Sequence, residues 1–360
     1  MAQVTTNFAT SISGPVNFVL METLLSAARK RLPYFNGTLP GELSKAQGSA
    51  SVKWRRIENL TAVTTALSEA ADGSTVSFGN GRTSVTPTIT DLSVAIAKYG
   101  NAINLTEEVD LFNVNSNSAA LMDTLGANAG ESLNVLMRNV YNDTSIIVRN
   151  ANKAATYSSL ASAITLNDVK RCVQLLNLNS AIRFTPAGFG SQNYNTQPIR
   201  QSYYGICHVL QEDDIRGLTG FIPVEQYGGY TETEPGEFGA VAGVRWCSTE
   251  IAPVVSDGST ESIVVGTYIE SAAAAHDVFT AFIYGREAVG SVGLGEQHAK
   301  EIYMMYDRVP TVELIYHKPG SSGIADMFNE NGSLAWKAWF AGKKLNQNWI
   351  AKLNSLATKF

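Results

Sequence analysis

The sequence predicts an α+β protein, and three observations carry that prediction. One long helical pattern covers residues 116–149, a two-stranded β excursion covers residues 51–105, and residues 185–300 mix strands with a short acidic helix before a closing β section. With 360 residues, 44% of them hydrophobic, the chain is long enough for about two compact units.

The first part of the chain predicts an arm that carries one amphipathic helix. Residues 1–14 are small and polar, and apolar residues then recur at helical spacing until Pro33 stops the pattern. The apolar residues at this spacing are Val16, Val19, Leu20, Leu24 and Ala28. We expect this stripe to pack on the protein's own core or on a neighbouring chain, because an isolated arm would not keep it exposed.

The β excursion predicts a hairpin that needs a surface from elsewhere. One strand spans residues 52–57, a second alternates through residues 88–97, and residues 73–82 form a turn-rich tip. Alternation places Lys53 and Arg55 on one face and Arg56 on the other. These charges favour ion pairs between subunits over nucleic-acid contact, with a purely solvated surface as the open alternative.

Two helices are predicted after the hairpin. Apolar residues recur at spacings of three, four and seven through residues 116–149, and Gly126 and Gly130 suggest that another backbone approaches closely. The apolar residues are Leu121, Leu125, Ala129, Leu133, Leu136, Val140 and Ile147. A second helix opens at Thr165, whose capping box with Asp168 satisfies the first backbone donors.

The C-terminal half predicts strands around a short acidic helix. Residues 203–210 and 263–269 are predicted strands, and Glu212, Asp213 and Asp214 favour a helix start over a metal-binding carboxylate cluster. Two further β segments follow. Val312, Leu314 and Tyr316 alternate on one strand, and Leu345, Trp349, Ala351 and Leu353 are predicted to share one face of the closing strand.

Charge is distributed unevenly along the chain. The formal net charge is −5, which argues against nucleic-acid binding as the main task. The last thirty residues nevertheless hold five lysines and no acid: Lys337, Lys343, Lys344, Lys352 and Lys359. Three tryptophans stand among them, so this tail is predicted to be a packed closing element rather than a solvated basic arm.

No pattern for a catalytic, cofactor-binding or metal site stands out. The cysteines Cys172, Cys207 and Cys247 form no Cys-x-x-Cys pair, the four histidines are dispersed, and the common nucleophile, phosphate-loop and zinc-protease motifs are absent. The N-terminus lacks a signal-peptide pattern and no apolar run of ~20 residues occurs. We therefore expect folding in a reducing cytoplasm, with no catalytic residue, cofactor, metal or membrane partner.

The order of these parts resembles the major capsid proteins of tailed double-stranded DNA phages with the HK-97-like fold, most closely the coliphage N-4 branch. The stretches that carry the resemblance are residues 85–100, 105–110, 130–133, 243–245, 282–288, 318–326 and 336–340. It covers residues 50–355 approximately, and the order of the stretches is its specific part.

The resemblance implies a four-part subunit: an N-terminal arm (1–51), an extended hairpin or E-loop (52–105), a P-domain with a long spine helix (106–185), and an A-domain (186–300). Residues 301–360 would return into the P-domain sheet. The implied subunit-interface residues of the E-loop are Lys53, Trp54, Arg55, Arg56, Phe78 and Arg82. The implied P-domain core residues are Leu125, Leu133, Leu136, Trp336, Trp339 and Trp349.

The tail tryptophans allow two geometries. Trp336 and Trp339 share a face if the segment is helical and lie on opposite faces if it is extended. In either geometry at least one tryptophan is expected to pack against Leu125, Leu133 or Leu136.

The function implied is that of a non-enzymatic shell subunit. It would assemble with many copies of itself into hexamers and pentamers around packaged double-stranded DNA, which it would contact non-specifically. A separate scaffolding protein, a portal and decoration proteins are implied partners, and assembly in the host bacterial cytoplasm would give a subunit of the virion. Two alternatives stay open: an encapsulin-like compartment of the same fold, and a soluble cytoplasmic α/β enzyme.

Overall fold

The computed structural model describes residues 32–42, 51–58, 60–62, 64, 86–108, 118–149, 156–184, 201–227, 236–259, 269, 276–293, 312–317, 328 and 330–359. The predicted helix in the arm, the turn-rich tip with Phe78 and Arg82, and all but the last residue of the predicted strand 263–269 lie outside this range.

Three α-helices and fifteen strands are described, together with short 3-10 turns. The helices are α1 (Ser118–Asn142), α2 (Leu166–Leu178) and α3 (Glu212–Arg216). The strands are β1 (Leu39–Glu42), β2 (Ser51–Ile57), β3 (Ile89–Ala95), β4 (Ala97–Thr106), β5 (Ile147–Arg149), β6 (Tyr203–His208), β7 (Ile222–Pro223), β8 (Glu237–Val241), β9 (Val244–Thr249), β10 (Val254–Ser259), β11 (His276–Tyr284), β12 (Val289–Gly293), β13 (Val312–His317), β14 (Asn331–Lys344) and β15 (Ile350–Ser355).

A five-stranded sheet is built on β14, the longest described strand. It pairs antiparallel with β4, β12 and β13, and β1 joins in parallel beside β12. Alternate residues of β14 point to one face and are buried: Leu334, Trp336, Ala338 and Phe340. This face forms the larger core together with α1.

Helix α1 covers that face of the five-stranded sheet. Its fully buried side chains recur every three or four residues, as the sequence pattern predicts, and Gly126 and Gly130 are buried. The helix ends at Asn142 rather than at residue 149, because Asp143, Thr144 and Ser145 are poor helix formers whose side chains compete with the helical hydrogen bonds. Ile147, predicted on the helix, starts strand β5 instead.

An eight-stranded sheet forms the second body of the core, with order β5-β15-β11-β6-β9-β8-β7 and β10 beside β11. Helix α2 packs on it through Val169, Cys172 and Leu176, which join Trp246 in one apolar cluster. The predicted capping box is confirmed: the Thr165 amide donates to Asp168 Oδ2 at 3.2 Å, and the Asp168 amide donates to Thr165 Oγ1 at 3.4 Å.

The acidic helix start is also confirmed, because Glu212, Asp213 and Asp214 occupy the first turn of α3. Glu212 pairs with Arg216 at 2.7 Å, one turn along the helix. In the described part of the chain, no three His, Cys, Asp or Glu side chains are grouped in a way that could hold a metal ion. None of the described helices is long and apolar enough to cross a membrane.

The last sixty residues join both sheets. Strands β13 and β14 lie in the five-stranded sheet, whereas β15 lies in the eight-stranded sheet between β5 and β11. The predicted common face of the closing strand is also wrong. Trp349 ends a 3-10 turn before β15 and packs on the α1 core, whereas Ala351 and Leu353 belong to the cluster around α2.

The end of the predicted arm is part of the core. Tyr34 and Phe35 are buried, and the Tyr34 ring lies 5.7 Å from Tyr141 of α1 and 6.1 Å from Phe282 of β11, centroid to centroid. The Tyr34 amide donates to Asn134 Oδ1 at 3.3 Å. Residues 32–42 therefore connect the helix to both sheets.

Candidate subunit-interface site

The hairpin of β2 and β3 presents two different faces. Its seven register pairs run from Ser51 opposite Ala95 to Ile57 opposite Ile89. Burial alternates along β2, so Lys53 and Arg55 are exposed while Val52 is buried and Trp54 is half-buried. This confirms the predicted separation of Lys53 and Arg55 from Arg56.

The inner face of the hairpin packs on its own subunit. It lies on the five-stranded sheet, where Val52, Trp54, Val94 and Ile96 contact a small cluster with Val292 of β12 and Ala341 of β14. Trp54 makes this intrachain contact because it shares the inner face with Val52. A contact of Trp54 with a neighbouring subunit stays a prediction.

The arginines of the hairpin have partners within the chain. Arg55 Nε donates to Asp91 Oδ1 at 2.9 Å, directly across the two strands. This hydrogen bond holds the pKa of Asp91 below its ordinary value. Arg56 Nε donates to Glu58 Oε1 at 2.8 Å, and Arg56 Nη1 donates to the Leu345 carbonyl at 3.0 Å. Pairing of Lys53 and Arg55 with a neighbouring subunit stays a prediction.

The outer face of the hairpin also carries apolar side chains that the site prediction missed. Ile57 is 62% exposed and Ile89, directly opposite, is 52% exposed. Leu60, which lies beyond the end of β2, is 56% exposed as well. The signal was present in the sequence, since Ile57 and Ile89 fall in phase with Lys53 and Arg55. Large apolar groups together on one exposed strand pair are typical of a contact surface.

Most of the residues predicted for the P-domain core lie together beside α1. Leu125, Leu133 and Trp336 are buried in one cluster, and Leu136 and Trp349 pack against it. The Trp336 indole N–H donates to Asn128 Oδ1 of α1 at 3.1 Å, so its polar edge is satisfied as well. The expectation that at least one tail tryptophan packs on the long helix is confirmed.

Trp339 does not belong to that core. The tail segment is extended, so Trp339 lies on the face of β14 opposite Trp336 and is half-buried. Lys98 of the neighbouring strand β4 places its Nζ 5.8 Å from the Trp339 ring centroid, within reach of a cation–π interaction. Trp339 could share the core with Trp336 only if the tail were helical. Residues 336–340 are compatible with a helix or a strand by pattern alone, and the structure shows a strand.

Two of the tail lysines lie at the C-terminal end of α1. Lys344 Nζ donates to the Asp143 carbonyl and to Asp143 Oδ2, the latter at 2.6 Å, and this contact lowers the pKa of the Asp143 carboxyl. Lys352, which is buried, donates to Asn142 Oδ1 at 2.7 Å. Cations are favourable there because the helix end carries partial negative charge. Lys343 and Lys359 are exposed.

The eight-stranded sheet contains a buried ion pair. Arg245 Nε donates to Glu237 Oε1 at 2.7 Å, and the guanidinium lies 5.3 Å from the Tyr204 ring centroid. Burial lowers the pKa of Arg245, but the bonds to Glu237 outweigh that effect and the pKa is raised. The Arg245 guanidinium therefore stays charged in the interior of the sheet.

Two of the buried cysteines, Cys172 and Cys207, are unreactive thiols. Burial raises the pKa of Cys172 to about 12 and that of Cys207 well above its ordinary value. A cysteine acts as a nucleophile through its thiolate, so these two thiols stay protonated and inert at neutral pH.

No family model matches the sequence, and no curated protein is found to be similar to it. Solved structures are similar over nearly the whole chain. The capsid of Ralstonia phage GP4 matches with 12% identity and a TM-score of 0.62, covering 91% of this chain and 92% of that chain.

Two further structures match in the same way. The head structure of Helicobacter pylori bacteriophage KHP40 matches with 14% identity and a TM-score of 0.53, covering 90% of both chains. The capsid of cyanophage Pam1 matches with 10% identity and a TM-score of 0.51, covering 93% of both chains. The chain has the HK-97-like fold, with the helices and sheets arranged as in those capsid chains.

Proposed function

We propose that this protein is a major capsid protein, a non-enzymatic subunit that assembles into the hexamers and pentamers of an icosahedral shell around double-stranded phage DNA. The observation that supports this most is the extent of the likeness. The fold of phage capsid chains covers 90% or more of this chain rather than one shared domain.

The surface of the hairpin supports the same proposal. Ile57 and Ile89 are exposed next to Lys53 and Arg55 on one face, and a single copy of the described chain leaves that face in water. A neighbouring copy could cover it. In a closed shell each subunit both offers and receives such a contact, because heterologous contacts that close by rotation form rings.

We propose for the subunit the domain division that the sequence resemblance implies. We assign residues 1–51 to the arm, 52–105 to the E-loop, 106–185 to the P-domain, 186–300 to the A-domain and 301–360 to the closing segment. The proposed location is the virion shell, assembled in the host bacterial cytoplasm.

The order of the quoted sequence stretches favours the coliphage N-4 branch. Proposed partners are further copies of the chain, a separate scaffolding protein, a portal and decoration proteins, with non-specific contact to packaged DNA. A genome that encodes a portal and a terminase beside this gene would separate a phage head from an encapsulin-like compartment.

We expect the purified full-length chain, with a scaffolding protein from the same genome supplied, to form closed shells in electron micrographs. Shells elute in the void volume of a gel-filtration column, whereas a soluble enzyme of this size would elute as a monomer or small oligomer. Monomers alone, in light scattering at near-physiological salt, would contradict the proposal.

Introducing charge on the outer face of the hairpin should block assembly. The double variant Ile57→Asp/Ile89→Asp is expected to lower shell yield at least about tenfold, because burial of each isoleucine at a contact contributes roughly 1.5–3 kcal/mol. Circular dichroism of the unassembled chain should not change, since both side chains are exposed. Ile57→Leu is the matched control and should assemble normally. An unaltered yield for the double variant would exclude this face as a contact.

Reversing the charge of Arg55 tests its predicted pairing with an adjacent subunit. Arg55→Glu is expected to lower shell yield, since an exposed pair contributes little by itself but recurs in every subunit. The swap Arg55→Asp/Asp91→Arg keeps the intrachain pair and reverses its order across the strands. If Arg55 acts between subunits, the swap stays defective. Recovery of normal yield by the swap would assign Arg55 to its own hairpin alone.

A further inference from the structure

The Trp54 ring occupies a slot made by two glycines on adjacent strands. Strands β1 and β12 run side by side, and a Cβ atom built on Gly41 of β1 would lie 2.7 Å from Trp54 Cζ2. A Cβ atom built on Gly290 of β12 would lie 2.8 Å from the same atom. Real Cβ atoms do not approach this closely, so the ring fills the space that two side chains would otherwise take.

A polar contact from the same face of β2 reinforces the slot. Arg56 Nη1 donates to the Leu345 carbonyl at 3.0 Å, just beyond the end of β14. The side chain of Leu345 borders the slot, since its Cδ1 lies 3.2 Å from a Cβ built on Gly290. Trp54 and Arg56, both on the inner face of β2, thus contact neighbouring parts of the same surface.

Side-chain contacts, rather than shared strand pairing, hold the hairpin to the subunit. Strands β2 and β3 form a two-stranded sheet of their own, and within the described residues no other strand pairs with them. An isolated two-stranded hairpin is marginal in water. Strand β3 of the hairpin is followed by β4, which lies in the five-stranded sheet. Ile96 lies between the two strands and interrupts them, so the hairpin is connected to the sheet at this residue.

We propose that Trp54, seated over Gly41 and Gly290, is a latch that fixes the orientation of the hairpin on its own subunit. Trp54 is a positioning residue: it acts by setting the direction in which the outer face, with Ile57 and Ile89, is presented. Releasing the ring frees the hairpin to change its angle to the five-stranded sheet. The consequence for assembly rests on the proposed function, but the latch itself is a property of the single chain.

Hydrogen exchange of the full-length, unassembled chain tests the latch. In Trp54→Ala and in Gly290→Ala, the backbone amides of β2 and β3 should exchange about tenfold faster than in the wild type, while those of β14 stay unchanged. The direction in which Gly290→Ala changes the exchange rate distinguishes the two explanations. Alanine normally strengthens a strand interior relative to glycine, so faster exchange must come from the displaced ring.

The double variant Trp54→Ala/Gly290→Ala completes a double-mutant cycle with the two single variants. If the glycine matters only because the ring lies on it, then Gly290→Ala has no further effect once the ring is gone. Equal effects of Gly290→Ala in both backgrounds, or wild-type exchange in Trp54→Ala, would overturn the latch. Gly41→Ala approaches the same ring atom from the other strand and replaces Gly290→Ala if that variant does not fold.

Shell yield then separates the latch from the proposed function. If the wild type forms shells, the variants with a released hairpin should form at least about tenfold fewer, in line with the exchange result. Wild-type yield with a released hairpin would overturn the orienting role. If the wild type forms no shells at all, the proposed function fails, while the exchange experiment still decides whether the latch exists.

Discussion

Trp336→Ala is expected to make the subunit insoluble or unable to assemble. The side chain is 3% exposed, its ring packs in the cluster with Leu125 and Leu133, and its indole N–H is bonded to Asn128. Truncating a buried tryptophan costs roughly 3–5 kcal/mol, and a whole domain is stable by only about 5–15 kcal/mol. The free energy of unfolding, measured by denaturant titration of any soluble fraction, provides the check.

Trp339→Ala is the matched control for that experiment. Trp339 lies three residues away on the same strand but on the opposite face, where Lys98 approaches its ring. Its loss should cost about 1 kcal/mol or less, since a cation–π contact at a half-buried site is weak. Equal destabilisation by the two variants would contradict the assignment of the two faces of β14.

The sequence predicted those elements whose signal is local. Helix α1 was found because its buried face repeats every three to four residues, and α2 because Thr165 and Asp168 form a complete capping box. The end of α1 was placed too late because Ile147 happens to continue the helical spacing. The three consecutive polar residues from Asp143 to Ser145 are the sequence signal for the end of the helix, and they decide over the spacing of Ile147.

What could not be predicted depends on contacts between residues far apart in the chain. The intrachain contact of Trp54 is one example, because Gly41 and Gly290, which make its slot, give no sign of meeting until the strands are paired. The contacts of Lys344 and Lys352 with the end of α1 likewise join residues about 200 positions apart, and no local pattern indicates them. The local sequence pattern predicts the type of each element and its apolar face. Which other element covers that face depends on the topology of the whole chain.

A chain that ends at Gly342 is expected to be insoluble and to form no shells. The truncation removes β15, the strand between β5 and β11 of the eight-stranded sheet, and with it the buried side chains Ile350, Ala351 and Leu353. Strand β11 would then expose a bare edge, which promotes aggregation. Loss of Lys344 and Lys352 also removes both cations from the end of α1.

The matched control for the truncation is Lys359→Ala, because Lys359 is exposed at the end of the same segment. This variant should be soluble and should assemble normally. Soluble fraction, circular dichroism and electron micrographs of the two proteins provide the comparison. Normal shells from the chain ending at Gly342 would show that the segment is a dispensable arm. The packing of β15 makes the opposite result the expected one, since this strand is paired with β5 on one side and with β11 on the other.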